Sequence, residues 1–174
     1  MVNGFIFWDR DGVVNELVKH PEKTLPGPPW KLSELKLNKG IGEVMTKVAF
    51  AGYKNVIISN QPDLRDGYMT AADIVDINDM LRSCLPIVDI KNCYDRSFPD
   101  YKPDNGMIEY YTFNRNDSWI VGDTWKDIAA GEKSKINTIL LVNSRKDWID
   151  FSGMQPDFVV YSLNEVAEVI LNEY

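Results

Sequence analysis

The sequence predicts an α/β fold in which a mostly parallel β-sheet is covered by helices on both faces. Two observations predict it. Segments of strand and helix character alternate along the whole chain, and the longest purely apolar runs have only the length of a strand. The 174 residues correspond to one domain, predicted over 1–174, and the 44% hydrophobic and 26% charged content is that of an ordinary globular protein.

Hydrophobic periodicity predicts each element in order. Short apolar runs predict six strands, at 4–8, 56–58, 87–93, 119–121, 137–142 and 158–160. Apolar residues at helical spacing predict five helices, at 41–49, 70–85, 106–113, 125–133 and 163–171. Gly52 is expected to end the first helix and Thr70 to cap the second. The apolar face of the second helix is predicted to include Cys84.

Residues 17–37 are the exception to this regular alternation. They contain four prolines that exclude a helix and a central strand: Pro21, Pro26, Pro28 and Pro29. A loop of this length in a compact domain is usually functional or disordered. We interpret 17–37 as an ordered flap beside the functional site, anchored by Trp30, which is also expected to form a wall for the substrate. The alternative is a loop packed away on the sheet edge. His20 is expected to be an exposed residue of this flap.

Charge and composition exclude several classes of protein. The net charge of −7 disfavours nucleic acid as a partner, because an acidic surface is repelled by the phosphate backbone. No apolar run is long enough for a transmembrane helix, and the N-terminus lacks the pattern of a signal peptide. The two cysteines, Cys84 and Cys93, have no metal-ligand spacing and are typical of a reduced protein. We therefore expect a cytoplasmic monomer or homodimer without a membrane partner.

Polar side chains follow four of the predicted strands. They are Asp9 and Asp11 after the first strand, Ser59 and Asn60 after the second, Lys102 beyond the third and Asp123 after the fourth. Because parallel strands end at one edge of a sheet, these groups are expected to meet there. Carboxylates, a hydroxyl and an amine together are the groups that phosphoryl transfer requires. The sequence therefore predicts a phosphoryl-transfer site at this edge.

Each group is assigned a role by its chemistry. A divalent cation, expected to be Mg²⁺ and held by Asp9, Asp11 and Asp123, would offset the repulsion between a carboxylate and a phosphate dianion. Asp9 is the candidate nucleophile, and Asp11 the candidate general acid and base. The predicted substrate-binding groups are Ser59, Asn60 and Lys102. Asp127 is either a metal ligand or a favourable negative charge in the first turn of a helix.

Four ordered motifs carry a family resemblance: WDRDGVVN at 8–15, ISNQ at 58–61, YKP at 101–103, and VGDT at 121–124 followed by Asp127. Together they resemble the haloacid dehalogenase superfamily of phosphatases over about the first 145 residues. The resemblance implies a Rossmann-like three-layer sandwich, without a large cap domain here, and a magnesium-dependent phosphoric monoester hydrolase. The Asp-Arg-Asp-Gly and Ser-Asn-Gln sequences are similar to the branch of heptose-1,7-bisphosphate and histidinol-phosphate phosphatases.

The chain departs from that branch at three places. The branch usually carries a zinc loop of three cysteines and a histidine before the lysine, whereas 93–101 contains one cysteine and no histidine, so zinc is not expected. Tyr101 stands where the branch often has arginine, which puts a second-phosphate contact in doubt. Pro62-Asp63 replaces the glycine expected soon after Asn-Gln.

The leading interpretation is a phosphatase of a small phosphorylated metabolite, such as a heptose (bis)phosphate, in carbohydrate metabolism. A nucleic-acid 3′-phosphatase is the second enzymatic interpretation, because that group shares the Asn-Gln motif and an open site. A non-catalytic binding module on the same fold is the third. The acidic net charge counts against the second, and the intact set of charged residues counts against the third. Further candidate substrate contacts are Arg65, Arg96 and Trp30.

Overall fold

The computed structural model describes residues 4–143 and 153–172. Within them, a six-stranded parallel sheet has the order β3-β2-β1-β4-β5-β6. The strands are β1 (Phe5–Asp9), β2 (Lys54–Asn60), β3 (Ile87–Cys93), β4 (Trp119–Gly122), β5 (Asn137–Leu141) and β6 (Phe158–Val160). The six predicted strands are confirmed, and β3 has the predicted ends. The α/β class is therefore confirmed, and the sheet is parallel throughout.

A helix is present at each of the five predicted places, but the one predicted over 106–113 ends at Glu109. The helices are α1 (Ile41–Phe50), α2 (Ala71–Cys84), α3 (Gly106–Glu109), α4 (Trp125–Ser134) and α5 (Leu163–Leu171). The predicted cap of α2 is confirmed: the backbone N–H of Asp73 donates to the Thr70 hydroxyl at 3.2 Å, and the Asp73 carboxylate accepts from the Thr70 N–H at 2.8 Å. None of the described helices is long and apolar enough to cross a membrane.

The alternation of side chains along each strand builds two hydrophobic layers. Ile6 and Trp8 of β1 pack into the larger layer, together with the buried faces of α1, α2 and α5. Phe5 and Phe7 point to the other side, where α3 and α4 cover the sheet. Apolar residues on both faces explain why the strands appear in the sequence as continuous apolar runs rather than as an alternating pattern.

Two predictions about individual residues are wrong. Cys84 is exposed, because the apolar stripe of α2 runs through Ile74, Ile77 and Leu81 and is completed by Leu85 just beyond the helix. His20 is buried, with 3% of its surface exposed, because its ring lies flat against Trp30 at 3.5 Å between centroids. The His20 ring nitrogen Nε2 is also 2.7 Å from the carbonyl oxygen of Pro28.

Residues 17–37 fold as an ordered segment with its own hydrogen bonds. Val18 and Gly27 exchange two backbone hydrogen bonds, each 2.8 Å long, which close the segment into a loop. The Glu16 N–H donates to the Lys36 carbonyl, so the two ends of the segment lie close together. We keep the name flap for residues 17–37.

Candidate active site

The predicted site residues gather at the carboxyl edge of the sheet, where β1 lies between β2 and β4. The chain leaves β1 towards β2 and β3, and later returns to the other side of β1 with β4. This change of direction opens a crevice at the ends of β1 and β4, which is where ligands bind in open α/β sheets. Asp9 is the last residue of β1 and Asp123 directly follows β4. The topology therefore places these two carboxylates side by side.

A glycine turn allows the two strand ends to approach each other. Gly12 has a φ of +98°, a left-handed conformation that L-residues with side chains rarely adopt. A Cβ atom at this position would also collide with the Asp123 carboxylate. Gly12 is thus required both by the local turn and by the close packing against Asp123.

Lys102 lies at the centre of the site. Its ammonium donates to Asp9 Oδ1 at 2.6 Å, to Asp127 Oδ1 at 2.7 Å and to the carbonyl oxygen of Ile58 at 3.1 Å. Asn60 holds the Lys102 backbone in place, because its amide accepts from the Lys102 N–H at 2.9 Å and donates to the Lys102 carbonyl at 2.8 Å. Lys102 thus links β1, β2 and α4 across the site.

Three buried carboxylates, those of Asp9, Asp123 and Asp127, form a group that can hold a metal ion. Each offers one oxygen atom, and these oxygens all lie within 4.8 Å of one another. Carboxylate oxygens are the ligands that Mg²⁺ takes in proteins, so the group fits a divalent cation. The group includes Asp9 and Asp123 as predicted, but its third member is Asp127, and the Asp11 carboxylate is not part of it.

Asp127 caps the start of α4 and also belongs to the group of carboxylates that could hold a metal ion. Its Oδ2 accepts from the N–H and the hydroxyl of Thr124 at 3.1 and 2.8 Å, which caps the start of α4. Its Oδ1 accepts from Lys102 within the site. Gly122 is required beside it, because a Cβ atom there would collide with the Asp127 side chain. The cap therefore fixes the carboxylate that completes the acidic group.

The Asp11 carboxylate is held by four hydrogen-bond donors. Oδ1 accepts from Arg10 Nε and Asn15 Nδ2, both at 3.1 Å. Oδ2 accepts from Gln61 Nε2 at 2.5 Å and from the Ser59 hydroxyl at 3.3 Å. Asp11 is 7% exposed and lines the cavity described below, so a fixed but accessible carboxylate stands beside Asp9.

Burial and neighbouring charges change the acidity of two of these groups. Burial raises the pKa of Asp9 to about 6; the charges of Asp127 and Asp11 act in the same direction, and the Lys102 ammonium opposes them. Burial alone would lower the pKa of Lys102, but the carboxylates of Asp127 and Asp9 outweigh it and the pKa is raised. Lys102 is therefore a permanent cation at neutral pH.

A cavity of about 460 Å³ opens over the site. It is lined by flap residues 23–28, by Pro62 and Asp63 of the loop after β2, and by Arg96, Tyr101 and residues 124–127. Asp9, Asp11, Asn60 and Lys102 also line it. The volume is in the range of cavities that bind small metabolites.

Of the further candidate substrate contacts, the structure brings only Arg96 to the cavity. Arg65 pairs with Asp95 instead. Trp30 is an anchor of the flap rather than a wall for the substrate: its ring lies between His20 and Tyr68, and its indole N–H donates to Asp63 Oδ2 at 2.7 Å. The prolines predict an ordered flap, but they do not predict which way the Trp30 indole points, because that depends on its contacts with Asp63 and Tyr68.

The loop where the resembled branch carries zinc is held here by ion pairs. Arg65 pairs with Asp95, and both outer nitrogens of Arg96 donate to the Asp66 carboxylate at 2.6 and 2.9 Å. Each of the two loops, after β2 and after β3, contributes one arginine and one aspartate. These reciprocal ion pairs join the two loops at the rim of the cavity.

Three residues that support the site have no role assigned by the sequence analysis. Gln61, in the motif at 58–61, donates to both Asp11 and Ser59, and Arg10, which lies between Asp9 and Asp11, donates to Asp11. Asn143, which donates to Asp123 Oδ2 at 2.7 Å and to the Gly12 carbonyl at 3.2 Å, follows β5. A search for polar residues after every strand would have found Asn143, because β5 ends at the same edge.

The fold and the site together define a class: a Rossmann-like α/β protein with an aspartate and a lysine at the centre of a carboxylate-rich crevice. The chain belongs to the haloacid dehalogenase-like hydrolase family, whose model matches residues 14–141. It is a phosphatase of this family, similar to heptose-1,7-bisphosphate phosphatases. The interpretation as a non-catalytic module is therefore wrong.

Several relatives are similar over most of their length. The D-glycero-beta-D-manno-heptose-1,7-bisphosphate 7-phosphatase of Pasteurella multocida is 24% identical over 183 residues, covering 95% of each chain. The D-glycero-alpha-D-manno-heptose-1,7-bisphosphate 7-phosphatase of Photorhabdus laumondii is 29% identical, covering 79% of this chain and 81% of its own. The crystal structure of D,D-heptose 1,7-bisphosphate phosphatase from B. bronchiseptica, complexed with magnesium and phosphate, is 25% identical with a TM-score of 0.80, covering 98% of this chain and 99% of its own.

Proposed function

We propose that this protein is a magnesium-dependent phosphatase that hydrolyses a sugar phosphate through an aspartyl-phosphate on Asp9. The observation that carries the proposal is the buried contact of 2.6 Å between Asp9 and Lys102, inside a group of three carboxylates. A lysine in that place holds the nucleophile and offers a positive charge to a phosphate that approaches it. The hydrogen-bonded Asp11 carboxylate beside it supplies a proton donor and acceptor.

The proposed metal ligands are Asp9, Asp123 and Asp127. When bound, Mg²⁺ supplies positive charge that offsets the repulsion between the Asp9 carboxylate and a phosphate dianion. The B. bronchiseptica enzyme, whose structure contains magnesium and phosphate, supports this choice of ion. Asp123 is fixed for this role by Asn143 and by its close packing on Gly12.

In the first step, a carboxylate oxygen of Asp9 attacks the phosphorus atom. The bond between phosphorus and the leaving oxygen breaks, and Asp11 gives its proton to that oxygen. The proposed groups for the non-bridging oxygens, where negative charge must be stabilised, are Lys102, which lines the cavity, and Ser59, whose hydroxyl donates to Asp11. The alcohol leaves, and Asp9 carries the phosphoryl group.

In the second step, a water molecule attacks the phosphorus atom of the aspartyl-phosphate. Asp11, now ionised, takes a proton from this water while the bond between phosphorus and Asp9 breaks. Inorganic phosphate leaves, the Asp9 carboxylate is restored, and Asp11 is protonated for the next cycle. One carboxylic acid thus serves both half-reactions, because it gives a proton to the leaving oxygen in the first and takes a proton from water in the second.

The shape of the cavity supports a sugar as the leaving group. Apolar side chains line it: Leu25, Pro26 and Pro28 of the flap, together with Tyr101 and Trp125. Such apolar surfaces suit the C–H faces of a sugar ring, while Thr24 and Lys126, which also line the cavity, offer polar contacts. The relatives named as heptose-1,7-bisphosphate phosphatases support a heptose phosphate within this class.

A substrate panel tests the proposal. Phosphate release is measured with p-nitrophenyl phosphate, heptose 1,7-bisphosphate, heptose 7-phosphate, glucose 6-phosphate and a 3′-phosphorylated oligonucleotide, each with magnesium and with a chelator. We expect turnover only with magnesium, and the highest kcat/KM with a heptose phosphate. Full activity in the chelator would contradict the metal site, and a preference for the oligonucleotide would contradict the sugar substrate.

A further inference from the structure

The flap is joined to the loop after β2 through one buried carboxylate, that of Asp63. Only 2% of this residue is exposed, and both of its oxygens are bound by the flap. Oδ1 accepts from Lys23 Nζ at 2.5 Å, and Oδ2 accepts from the indole N–H of Trp30 at 2.7 Å. Asp63 thus holds the flap at two points that are seven residues apart in the sequence.

An aromatic stack strengthens this attachment. The Trp30 ring lies between His20, at 3.5 Å, and Tyr68, at 4.7 Å between ring centroids. The Lys23 ammonium lies 4.7 Å from the centre of the Tyr68 ring, within the range of a cation–π contact. The Asp63 carbonyl accepts from the Tyr68 N–H at 2.9 Å, so the backbone of Asp63 holds Tyr68 while its side chain holds Lys23 and Trp30.

The flap residues between these two attachment points form one wall of the cavity. Residues 24–28 line it, as do Lys23 and Asp63 themselves. The position of residues 24–28 therefore depends on how firmly Lys23 and Trp30 are held. Asp9 is held by β1 and by Lys102, and neither of these contacts involves the flap.

We propose that Asp63 is a positioning residue that fixes the flap wall of the cavity and thereby selects the leaving group. This inference rests on the proposed phosphatase function and adds to it the origin of its specificity. Asp63 takes no part in phosphoryl transfer. Its effect is exerted on the part of the substrate that lies beyond the phosphate, through Lys23 and Trp30.

The chemistry of the two flap contacts makes a carboxylate necessary. Lys23 Nζ and Trp30 Nε1 are both donors, and a carboxylate accepts from both. An asparagine of the same shape has only one acceptor atom, so its amide N–H₂ would face one of the two donors. The Asp63→Asn substitution therefore breaks one contact and leaves a buried donor without an acceptor.

The first test compares two substrates in matched variants. We expect Asp63→Asn to raise the KM for heptose 1,7-bisphosphate about tenfold, the loss typical of one buried hydrogen bond to a charged group. The kcat and KM for p-nitrophenyl phosphate, whose leaving group has no sugar ring, are expected to stay within about twofold. Asp79→Asn, which removes a charge from an exposed pair on α2, is the control and is expected to change neither value.

A double variant separates the positioning effect of Asp63 from a general disturbance of the folded structure. In Trp30→Phe the indole donor is absent, so an asparagine at 63 can accept from Lys23 without its N–H₂ facing a second donor. We therefore expect the combined effect of Trp30→Phe and Asp63→Asn on KM to be smaller than the product of the two single effects. An equal rise in KM for both substrates in Asp63→Asn would overturn the proposal.

Hydrogen exchange gives a readout that does not need a substrate. The amides of Val18 and Gly27, which bond to each other's carbonyls across the flap, are expected to exchange about tenfold faster in Asp63→Asn and at the wild-type rate in Asp79→Asn. Unchanged exchange would overturn the anchoring role, and faster exchange with unchanged KM would overturn the role in specificity.

These outcomes are distinct from a failure of the proposed function. A wild-type protein that hydrolyses p-nitrophenyl phosphate but not heptose 1,7-bisphosphate would contradict the heptose substrate only. The KM comparison then uses the sugar phosphate that the substrate panel selects. A wild-type protein without phosphatase activity would contradict the proposed function, and with it the role of Asp63 in specificity.

Discussion

Removal of the central ammonium by Lys102→Met tests the charge arrangement of the site most directly. Lys102 is buried and donates to Asp9 at 2.6 Å and to Asp127 at 2.7 Å. Methionine fills a similar volume but leaves these carboxylates without their cation. Loss of one partner of a buried ion pair costs about 3–5 kcal/mol of folding free energy. With a urea m-value of about 2 kcal/mol/M, the midpoint of unfolding would fall by about 2 M.

The assay is urea unfolding in a chelator, followed by the same titration in magnesium. Lys133→Met is the control, because Lys133 pairs with Asp104 on the surface, at 2.5 Å, and an exposed pair contributes at most about 1 kcal/mol. Magnesium is expected to restore part of the stability of Lys102→Met, since it binds to the same carboxylates. It is not expected to restore turnover, which should fall about 10²–10³-fold when a group that stabilises the transition state is lost.

Two results would refute this reasoning. A Lys102→Met variant that unfolds at the same urea concentration as Lys133→Met would show that the buried pairs contribute no more than a surface pair. A variant with turnover within a few-fold of the wild type would show that Lys102 does not bind the transferring phosphate.

Three further predictions follow from individual contacts. Asp9→Asn is expected to leave a folded protein with no measurable turnover, because an amide cannot form the acyl-phosphate; near-wild-type turnover would remove Asp9 from the nucleophile role. Elemental analysis of the purified protein is expected to show no stoichiometric zinc, because the loop at 93–101 lacks the ligands of a tetrahedral site, and one tightly bound zinc per chain would contradict this. Burial alone would raise the pKa of Asp89, but hydrogen bonds from Tyr111 and the Ile90 N–H hold this pKa below its usual value. The ionised Asp89 therefore stabilises the folded protein near neutral pH, and this stabilisation is lost as the pH falls below about 4. Tyr111→Phe is therefore expected to weaken the acid dependence of the unfolding free energy, and an unchanged dependence would argue against this contact.

Local signals in the sequence determined the elements and the main members of the candidate site. Strands buried on both faces are continuous apolar runs, and the residue that follows each strand lies at the ligand edge whatever the details of packing. The sequence alone therefore assigns four residues to one crevice: Asp9, Asp11, Lys102 and Asp123. The parallel sheet makes that assignment nearly independent of side-chain conformation.

Tertiary structure alone decided how these side chains pair. The third carboxylate is Asp127 rather than Asp11, because Thr124 and Lys102 hold the Asp127 side chain while Asp11 is bound by four other donors. His20 is buried because Trp30 stacks on it, a contact between residues ten apart that no periodicity signals. Trp30 anchors the flap because its indole meets Asp63, a residue 33 positions away. Element type and strand ends follow from neighbours in the sequence, whereas the direction of a side chain depends on partners that only the folded chain brings within reach.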